Sequence, residues 1–481
     1  MFDRLKKIII ILFVFIFAYI LGLNIYMIIN KTIISLLITC LLIISFYYIN
    51  KKINIEKFKK FELFTLIIGF ILFLIFGYFG KVGLRWDYGI VIKSSFNYIT
   101  NISKEIEYFG RYPNNLSLYL ITNIICKIIS FIYPKFNIDI LHGTTIILNV
   151  IILSISFYLL VLLTRKIMSK KDSFLIFLMM ILFIPLFMYT SIFYTDTIGL
   201  FLNMLSFYIF YLFEEEKNIK NKKIYMIILT FLIVLGFKLK ATNSFLFIAI
   251  IMYYLLNKEY KKVFYSFIPL IIFYLVFSLV IKISYPISNS EYDKYKFPYL
   301  SWIAMSLDQR YSGGYSKEFV ESLIKTGNYN DKVNYSKNYI NDWTSKNGIN
   351  GLLKKVFIGK QLRTWTNPTL HSAYYLGKSP VDKSFIQKTF IKKGKYFKYY
   401  YSFISGCWLF ILIGSFISGF SSYIKNNKYI LISQICLIGI FIFLTFWECN
   451  SRYIYSFLPF IFISSIYGYK NLFNALNNRK K

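Results

Sequence analysis

Apolar side chains occur along this chain in long runs, not in the spaced pattern of a soluble helix or strand. Each run covers about 17–25 residues, the length of helix that crosses a hydrocarbon core of about 30 Å. Backbone N–H and C=O groups in lipid must bond within their own segment, so such runs form helices. The pattern therefore predicts an all-α protein that crosses a membrane many times.

About twelve runs are predicted to cross, and basic residues in alternate loops give their direction. The predicted spans cover residues 8–29, 32–49, 62–80, 141–163, 173–191, 196–213, 223–237, 241–257, 263–285, 401–423, 428–446 and 451–468. The basic loops and both ends of the chain are expected in the cytoplasm. The first run lacks the short apolar core and cleavage site of a signal peptide, so we expect it to remain as a span.

One further apolar run, residues 113–132, is ambiguous because several polar residues interrupt it. If this run crossed the membrane, the basic cluster at residues 165–171 would fall outside, against the positive-inside trend. We therefore expect residues 88–132 to stay outside as a cap of interfacial helices. The direction of every later span depends on this choice.

The polar segments divide the chain into four parts. Residues 1–61 are predicted to hold two spans and a basic cytoplasmic loop. Residues 62–285 form the membrane core, with a catalytic external loop at 81–140. Residues 286–400 form a large external soluble domain, and residues 401–481 hold three final spans and a basic tail.

Composition supports this class and adds one feature. The 481 residues are 57% hydrophobic and 16% charged, and 56 Lys and Arg against 22 Asp and Glu give a net charge of +34. In most loops, topology and anionic lipid account for the basic residues, so nucleic acid is not expected as a partner. The segment 286–400 carries 19 Lys and Arg against 8 Asp and Glu. This surplus favours an anionic partner such as a lipid phosphate, although a Lys-rich bacterial genome explains it equally well.

Ionisable residues close to the membrane are costly, and each needs a reason. Six of them fall on the outer side of the predicted topology: Asp87, Asp196, Lys238, Lys240, Glu448 and Arg452. Each has an ordinary explanation by itself. Asp196 could cap a span, the two lysines could reach headgroups, and Glu448 could pair with Arg452 one helical turn later. Their occurrence on one side is what predicts a site.

Four short motifs accompany these residues. They are Trp86-Asp87 in the first external loop, Tyr-Pro-Asn-Asn-Leu at 112–116, Tyr-Thr-Asp at 194–196, and Glu448-x-x-x-Arg452-Tyr453 followed by Leu458-Pro459. In this order, from about residue 62 to 468, they resemble the C-type (GT-C) integral membrane glycosyltransferases. The similarity is greatest to the branch of the protein O-mannosyltransferases and lipid A aminoarabinose transferases. The chain departs from that pattern in its two additional leading spans and in Tyr88-Gly89, where many relatives have further acids.

The resemblance implies an enzyme that moves a sugar from a polyprenyl-phosphate carrier to an acceptor hydroxyl outside the membrane, with inversion. Asp87 is then the expected general base. The cations expected to stabilise the leaving phosphate are Lys238, Lys240, Arg452, Arg363 and Arg310. The side chains expected to bind or orient substrate are Asp196, Glu448, Trp86, Tyr88, Tyr112 and His371. The acceptor would be a cell-envelope glycan, a lipid or a protein.

This chemistry does not require a cofactor, because fixed cations can stabilise a leaving phosphate without a metal. If a divalent cation is used, Asp87 and Asp196 are its candidate ligands, with Glu105 and Glu107 as further acids. The protein is expected in a bacterial cytoplasmic membrane with the site facing outside. The five cysteines lack the spacing of a disulfide framework or a zinc site.

Two other classes remain open. A polysaccharide polymerase or ligase that acts on lipid-linked glycans would also have about twelve spans, and would rely on Arg363 and His371 in the large loop. A lipid or glycan transporter would place charged groups at the middle of the membrane and would usually show an internal repeat. The charges here lie at the outer ends of the predicted spans, and no repeat is visible in the sequence.

Overall fold

The computed structural model describes residues 2–55, 58–99, 105–133, 135–285, 288–381 and 384–478. The helices of the first half are α1 (Phe2–Lys31), α2 (Ile34–Lys52), α3 (Phe61–Phe79), α4 (Trp86–Ile99), α5 (Ile106–Arg111), α6 (Asn115–Ile132), α7 (Ile138–Ile167), α8 (Lys170–Leu182), α9 (Pro185–Met188), α10 (Thr195–Glu215), α11 (Ile219–Leu239), α12 (Phe245–Leu256) and α13 (Tyr260–Ser284). Those of the second half are α14 (Asn289–Tyr295), α15 (Tyr299–Ser306), α16 (Lys317–Lys325), α17 (Tyr329–Leu353), α18 (Lys360–Trp365), α19 (Ser372–Lys378), α20 (Phe385–Phe390), α21 (Phe397–Ile424), α22 (Lys428–Phe446) and α23 (Leu458–Asn478). Short 3-10 turns cover Ala241–Ser244, Gln309–Tyr311 and Ser451–Phe457, and a π-helical turn covers Lys354–Gly359. The predicted all-α class is confirmed in these ranges, which contain no β-strand. One isolated β-bridge pairs the backbones of Val82 and Pro380.

Many of these helices are long and apolar enough to cross a membrane. Among the described residues, nine qualify: α1, α2, α3, α6, α7, α10, α13, α21 and α22. The apolar helix α12 is shorter, and α8, α11 and α23 pack beside the qualifying helices in the same bundle. The chain is therefore a polytopic membrane protein, and the count of about twelve spans stays a prediction.

Three of the predicted spans contain a break in the helix. The expected span 173–191 ends as α8 at Leu182, and the short α9 begins at Pro185, whose ring and missing N–H end a helix. The expected spans 241–257 and 451–468 both begin as 3-10 turns. All three breaks lie beside the candidate site described below.

Basic residues gather at one end of the bundle. There Glu214 of α10 accepts from Lys262 of α13 at 3.0 Å and from Lys428 of α22 at 3.4 Å. Asp172 of α8 pairs with Lys470 of α23 at 3.0 Å. We name this the basic end and the opposite one the site end.

Small residues bring α21 and α23 into close contact. A Cβ at Gly468 would overlap the carbonyl oxygen of Gly414, and a Cβ at Gly414 would overlap the Ser465 hydroxyl, so both positions need glycine. The Ser415 hydroxyl donates to the Ile461 carbonyl at 3.2 Å across the same interface. Such contacts are typical of helix pairs in membranes, and here they fix α23 behind the turn at 451–457.

The segment between α3 and α7 begins and ends at the site end. The α4 and α6 helices run side by side in one direction, because the Ser95 and Thr122 hydroxyls meet at 2.6 Å while Tyr108 and Asn115 lie beside Asp87. The α7 helix starts back beside α4, where the His142 ring lies 6.4 Å from that of Tyr88. The α6 helix is long and apolar enough to cross, yet only a short connection returns the chain from it to α7. The expectation that residues 113–132 stay outside stays a prediction, and this geometry favours it.

The segment predicted to be external folds into α14–α20 and has a small core of its own. That core consists of Phe297, Ala304, Met305, Phe319, Val320 and Leu323. Its neighbour Trp302 contacts the Tyr112 ring with centroids 5.9 Å apart, which joins the segment to the site end. Whether the segment forms a soluble domain outside the membrane stays a prediction.

Candidate functional site

A buried carboxylate at the site end, that of Asp196, binds side chains from two other segments that connect helices. Asp196, in the first turn of α10, accepts a hydrogen bond from Lys240 Nζ at 2.6 Å, and its side chain is 2% exposed. Its other oxygen forms an ion pair with Arg452 Nε at 3.0 Å. Lys240 lies between α11 and α12, and Arg452 lies in the turn before α23. Two cations therefore meet one carboxylate, which leaves one positive charge in excess.

Three tyrosine rings surround the guanidinium of Arg452. Its central carbon lies 5.3 Å from the Tyr194 ring centroid, 5.1 Å from that of Tyr375 and 5.5 Å from that of Tyr453. Guanidinium groups interact favourably with aromatic faces at such distances, especially where water is excluded. The rings and Asp196 together hold this side chain in one orientation.

Asp87 lies at the hydroxyl of Tyr194, whose ring also contacts Arg452. It accepts from the Tyr108 hydroxyl at 2.9 Å and from the Tyr194 hydroxyl at 3.3 Å. Burial and the nearby Asp87 raise the pKa of both tyrosines, so both keep their protons and donate. Asn115 supports the pair by donating to the Tyr108 oxygen at 2.7 Å. In the described part of the chain, no Lys or Arg side chain comes within ion-pair distance of Asp87.

The residue before Asp87 is held in an unusual backbone conformation. Trp86 has φ of 53°, in the left-handed region that a bulky side chain rarely adopts. Residues held this way are concentrated at functional sites, where the surrounding structure fixes them. The strain at Trp86 therefore supports the view that the position of Asp87 is functionally constrained.

Asp87 and Arg452 both line one small cleft. Its empty volume is about 300 Å³, part of which is open to solvent. It is lined by Trp86, Asp87, Tyr88, Tyr189, Ile192, Tyr194, Asp196, Tyr375 and Arg452. An acceptor for protons and a fixed positive group thus face one mostly aromatic space.

A hydrogen-bonded layer beneath the cleft fixes α10, α11 and the turn 451–457. The Ser456 hydroxyl donates to the Asp196 carbonyl at 3.0 Å, and Asn203 donates to the Ser456 carbonyl at 2.9 Å. Asn243 donates to the Gly236 carbonyl at 3.1 Å. Gly199 of α10 leaves the room that these side chains need.

Replacing Gly199 by Ala will destabilise the protein by about 1–3 kcal/mol, the usual cost of overpacking a tight interior. Its Cβ would lie 2.9 Å from both Asn243 Oδ1 and Ser456 Oγ, which are held by the bonds above. Thermal unfolding in detergent measures the effect. Gly143→Ala in α7 is the matched control, because a Cβ there meets no atom within 4 Å, and its stability should not fall.

Glu448 lies close to the cations but pairs with neither of them. It is 6% exposed and accepts a hydrogen bond from the Tyr453 hydroxyl at 2.8 Å. Burial raises the pKa of Glu448, although Tyr453 and the nearby positive charges oppose this. Lys240 lies over the same tyrosine ring at 4.2 Å. The simple pairing of Glu448 with Arg452 that their spacing suggested is absent from the described contacts, because Arg452 turns to Asp196.

Three of the predicted phosphate-binding cations have other partners. Lys238 donates to Ser278 at 2.6 Å and lies over the Tyr274 ring, on the α13 side of α11. Arg363 donates to the carbonyls of Cys449 and Tyr311 at 3.2 and 2.9 Å. Arg310 is bound to Asp308, whose pKa falls to about 2 because hydrogen bonds from Arg310 and Ser316 outweigh the opposing effect of burial. Lys240 and Arg452 are the two cations that the structure brings to Asp196.

The predicted ring contacts also differ in position. Trp86 and Tyr88 line the cleft, although the Tyr88 hydroxyl donates to the Gly83 carbonyl at 2.6 Å. Tyr112 lies behind Tyr108, with ring centroids 5.1 Å apart, and is not part of the cleft lining. His371 shares a hydrogen bond with Ser451 at 2.9 Å, and burial, with the charges of Arg363 and Arg452, lowers its pKa to about 4. Its imidazole is therefore neutral at pH 7.

The acidic side chains of the site do not fit a metal centre. Among the described residues, no three His, Cys, Asp or Glu side chains lie together as metal ligands would. Both oxygens of Asp196 face cations, and Glu107 pairs with Arg111 away from Asp87. A metal ion would have to displace Lys240 or Arg452 from Asp196.

Several tyrosines of the site were not predicted as site residues: Tyr108, Tyr189, Tyr194, Tyr375 and Tyr453. The chain has 43 tyrosines, so tyrosine alone carries no signal. Tyr194 and Tyr453 did occur in the motifs quoted above, beside Asp196 and Arg452. The signal for Tyr375 lies in the tertiary structure alone.

The fold and the site define a polytopic helical membrane protein with an enclosed polar cluster at one end. The sequence matches, over residues 3–472, the family described as conserved hypothetical integral membrane protein, and the chain belongs to that family. No curated protein and no solved structure matches it.

Proposed function

We propose that this protein is a membrane glycosyltransferase that moves a sugar from a polyprenyl-phosphate carrier to an extracytoplasmic acceptor, with inversion. The observation that carries the proposal is that Asp87 and Arg452 line the same cleft. A carboxylate and a fixed cation at one small aromatic space suit a reaction that removes a proton from one group and releases a phosphate from another.

In the proposed reaction Asp87 accepts the proton of the acceptor hydroxyl. The acceptor oxygen forms a bond to the anomeric carbon as the bond from that carbon to the phosphate oxygen breaks. The polyprenyl phosphate leaves with the electron pair, and Arg452 and Lys240 stabilise its charge. Asp196 holds both cations in place before the reaction, so little reorganisation is needed when the charge develops.

The contacts of the Asp87 carboxylate are relevant to its proposed role as base. Hydrogen bonds from Tyr108 and Tyr194 orient the carboxylate. No Lys or Arg pairs with Asp87 among the described contacts, so no cation competes with a proton for its oxygens. Asp87 therefore suits proton acceptance better than Asp196, whose two oxygens are both engaged by cations.

The same proposal includes a location and partners. Because the basic end lies opposite the site, the positive-inside trend favours a cytoplasmic basic end and a site that faces outside a bacterial cytoplasmic membrane. The partners are then a polyprenyl-phosphate sugar and an envelope glycan, lipid or protein. The basic surplus of residues 286–400 supports an anionic one among them.

A glycan polymerase or ligase is the second candidate, and His371 separates the two. His371→Asn is suitable because asparagine tolerates the left-handed backbone at this position, where φ is 65°. We expect purified His371→Asn to retain sugar transfer within about tenfold, because His371 contacts Ser451 and not the cleft. The assay follows release of polyprenyl monophosphate from labelled polyprenyl-phosphate sugars in nanodiscs.

The wild-type protein should consume such a donor. Loss of all activity in His371→Asn, together with full activity in Asp87→Asn, would favour the polymerase or ligase. If the wild-type protein consumes polyprenyl-diphosphate oligosaccharides and none of the monophosphate donors, the proposed donor class is wrong.

A further inference from the structure

One part of the large segment, residues 367–381, contacts both halves of the candidate site. We name these residues the brace. At its far end the backbone pairs with the strand-like residues that lead to Asp87. The Gly83 N–H donates to the Ser379 carbonyl at 2.8 Å, and the Val381 N–H donates to the Lys81 carbonyl at 3.2 Å. The brace is thereby fixed to the chain a few residues before the proposed base.

The near end of the brace is fixed beside Arg452. Leu370 and His371 both have positive φ, of 47° and 65°, although neither is glycine. The His371 ring shares a hydrogen bond with Ser451 at 2.9 Å, and the Tyr189 hydroxyl donates to the Leu370 carbonyl. Two consecutive strained residues persist only where the surrounding contacts determine them. They set the direction of the following helix, α19, whose Tyr375 lines the cleft.

Tyr375 occupies the middle of the brace and touches both sides of the cleft. Its ring centroid lies 5.1 Å from the guanidinium carbon of Arg452. The same ring meets the Trp86 ring edge to face, with centroids 5.1 Å apart. Tyr375 therefore contacts both the cation and the residue that precedes Asp87. The neighbouring Tyr374 is 42% exposed and contacts His371, Lys378 and the Tyr375 ring itself.

We infer that the brace sets the position of the Arg452 guanidinium relative to Asp87, and that Tyr375 is the positioning residue through which it acts. This deepens the proposed function and rests on it in one respect, that Arg452 binds the phosphate of the lipid carrier. The two other rings at Arg452 come from its own turn and from α10, so Tyr375 is the contact that the large segment supplies. A phosphate binds more tightly to a guanidinium whose free N–H groups are already oriented toward it.

The test is the binding of farnesyl monophosphate to the full chain in detergent, measured by calorimetry. Tyr375→Leu removes the ring and should weaken binding about tenfold, within the range of a desolvated cation–π contact. Tyr375→Phe keeps the ring and should bind within about twofold of the wild type. Tyr399→Leu, at a tyrosine of α21 that is 74% exposed, is the control and should bind like the wild type. The inference is overturned if Tyr375→Leu binds normally, or if Tyr375→Phe is as weak as Tyr375→Leu.

A measurement without ligand separates this inference from the proposed function. Thermal unfolding of Tyr375→Leu, Arg452→Gln and the double variant should show coupling between the two positions, because each single change removes the same contact. If the two effects on stability are additive, the inferred role of the brace is wrong, whatever the activity of the protein. If the two positions are coupled in stability but the protein does not bind farnesyl monophosphate, Arg452 does not bind the carrier phosphate. The proposed donor is then wrong as well.

Discussion

Replacing Asp87 by Asn will abolish sugar transfer while the protein still inserts and folds. General base catalysis by a positioned side chain is worth about 10²–10⁴-fold, so transfer should fall by at least about 100-fold. The amide still accepts a hydrogen bond from Tyr108 or Tyr194, so the surrounding structure has little reason to change. The measurement is release of polyprenyl monophosphate from a labelled donor, with thermal unfolding in detergent as the folding check.

Asp139→Asn is the matched control for this change. Asp139 is an exposed carboxylate in the first turn of α7, near the same end of the bundle. The control should transfer sugar at the wild-type rate. Near-normal transfer by Asp87→Asn would remove the base assignment, and a collapse of its unfolding temperature would mean that Asp87 is structural.

Replacing Asp196 by Asn will have the largest effect on stability. The change leaves Lys240 and Arg452 close together in a buried place without their shared carboxylate. Removing one partner of a buried ion pair costs about 3–5 kcal/mol, because the remaining charge stays desolvated. Burial already lowers the pKa of Lys240 against the opposing effect of Asp196, so its ammonium depends on this partner.

The measurement for Asp196→Asn is the midpoint of thermal unfolding in detergent. Glu321→Gln is the control, because Glu321 pairs with Lys317 where both side chains are more than half exposed. Exposed pairs contribute about 0–1 kcal/mol, so this control should unfold almost like the wild type. Equal effects of the two changes would mean that the Asp196 cluster is not a buried charge network.

The membrane class and most helices could be predicted from the sequence, because long apolar runs in lipid permit few structures. The ends of these helices were less predictable. Pro185 signals the end of α8, but the 3-10 turns at 241–244 and 451–457 have no comparable signal. Polar contacts to Asp196 and its neighbours determine these turns, and such contacts appear only in the folded chain.

The candidate site was predictable in its charges and not in its partners. Asp87, Asp196, Lys240, Glu448 and Arg452 were singled out because buried charge near a membrane needs a reason. Lys238 and Lys240 looked equivalent in sequence, yet Lys238 turns to Tyr274 of α13. The Glu448 and Arg452 spacing suggested a local pair, but Arg452 finds Asp196 instead. Long-range contacts decide such choices, and the periodicity of a single helix does not contain them.

The partners of Asp196 lie far apart along the chain, which bears on how the protein is made. A ribosome delivers Asp196 first, Lys240 soon afterwards, and Arg452 only after the brace and α22 have been synthesised. Until then the carboxylate has one of its two cations, and the cleft lacks the guanidinium. A nascent chain in the membrane therefore carries an incomplete site through most of its synthesis. The turn before α23 completes it, so the charge cluster is whole only when the last helix of the bundle is made.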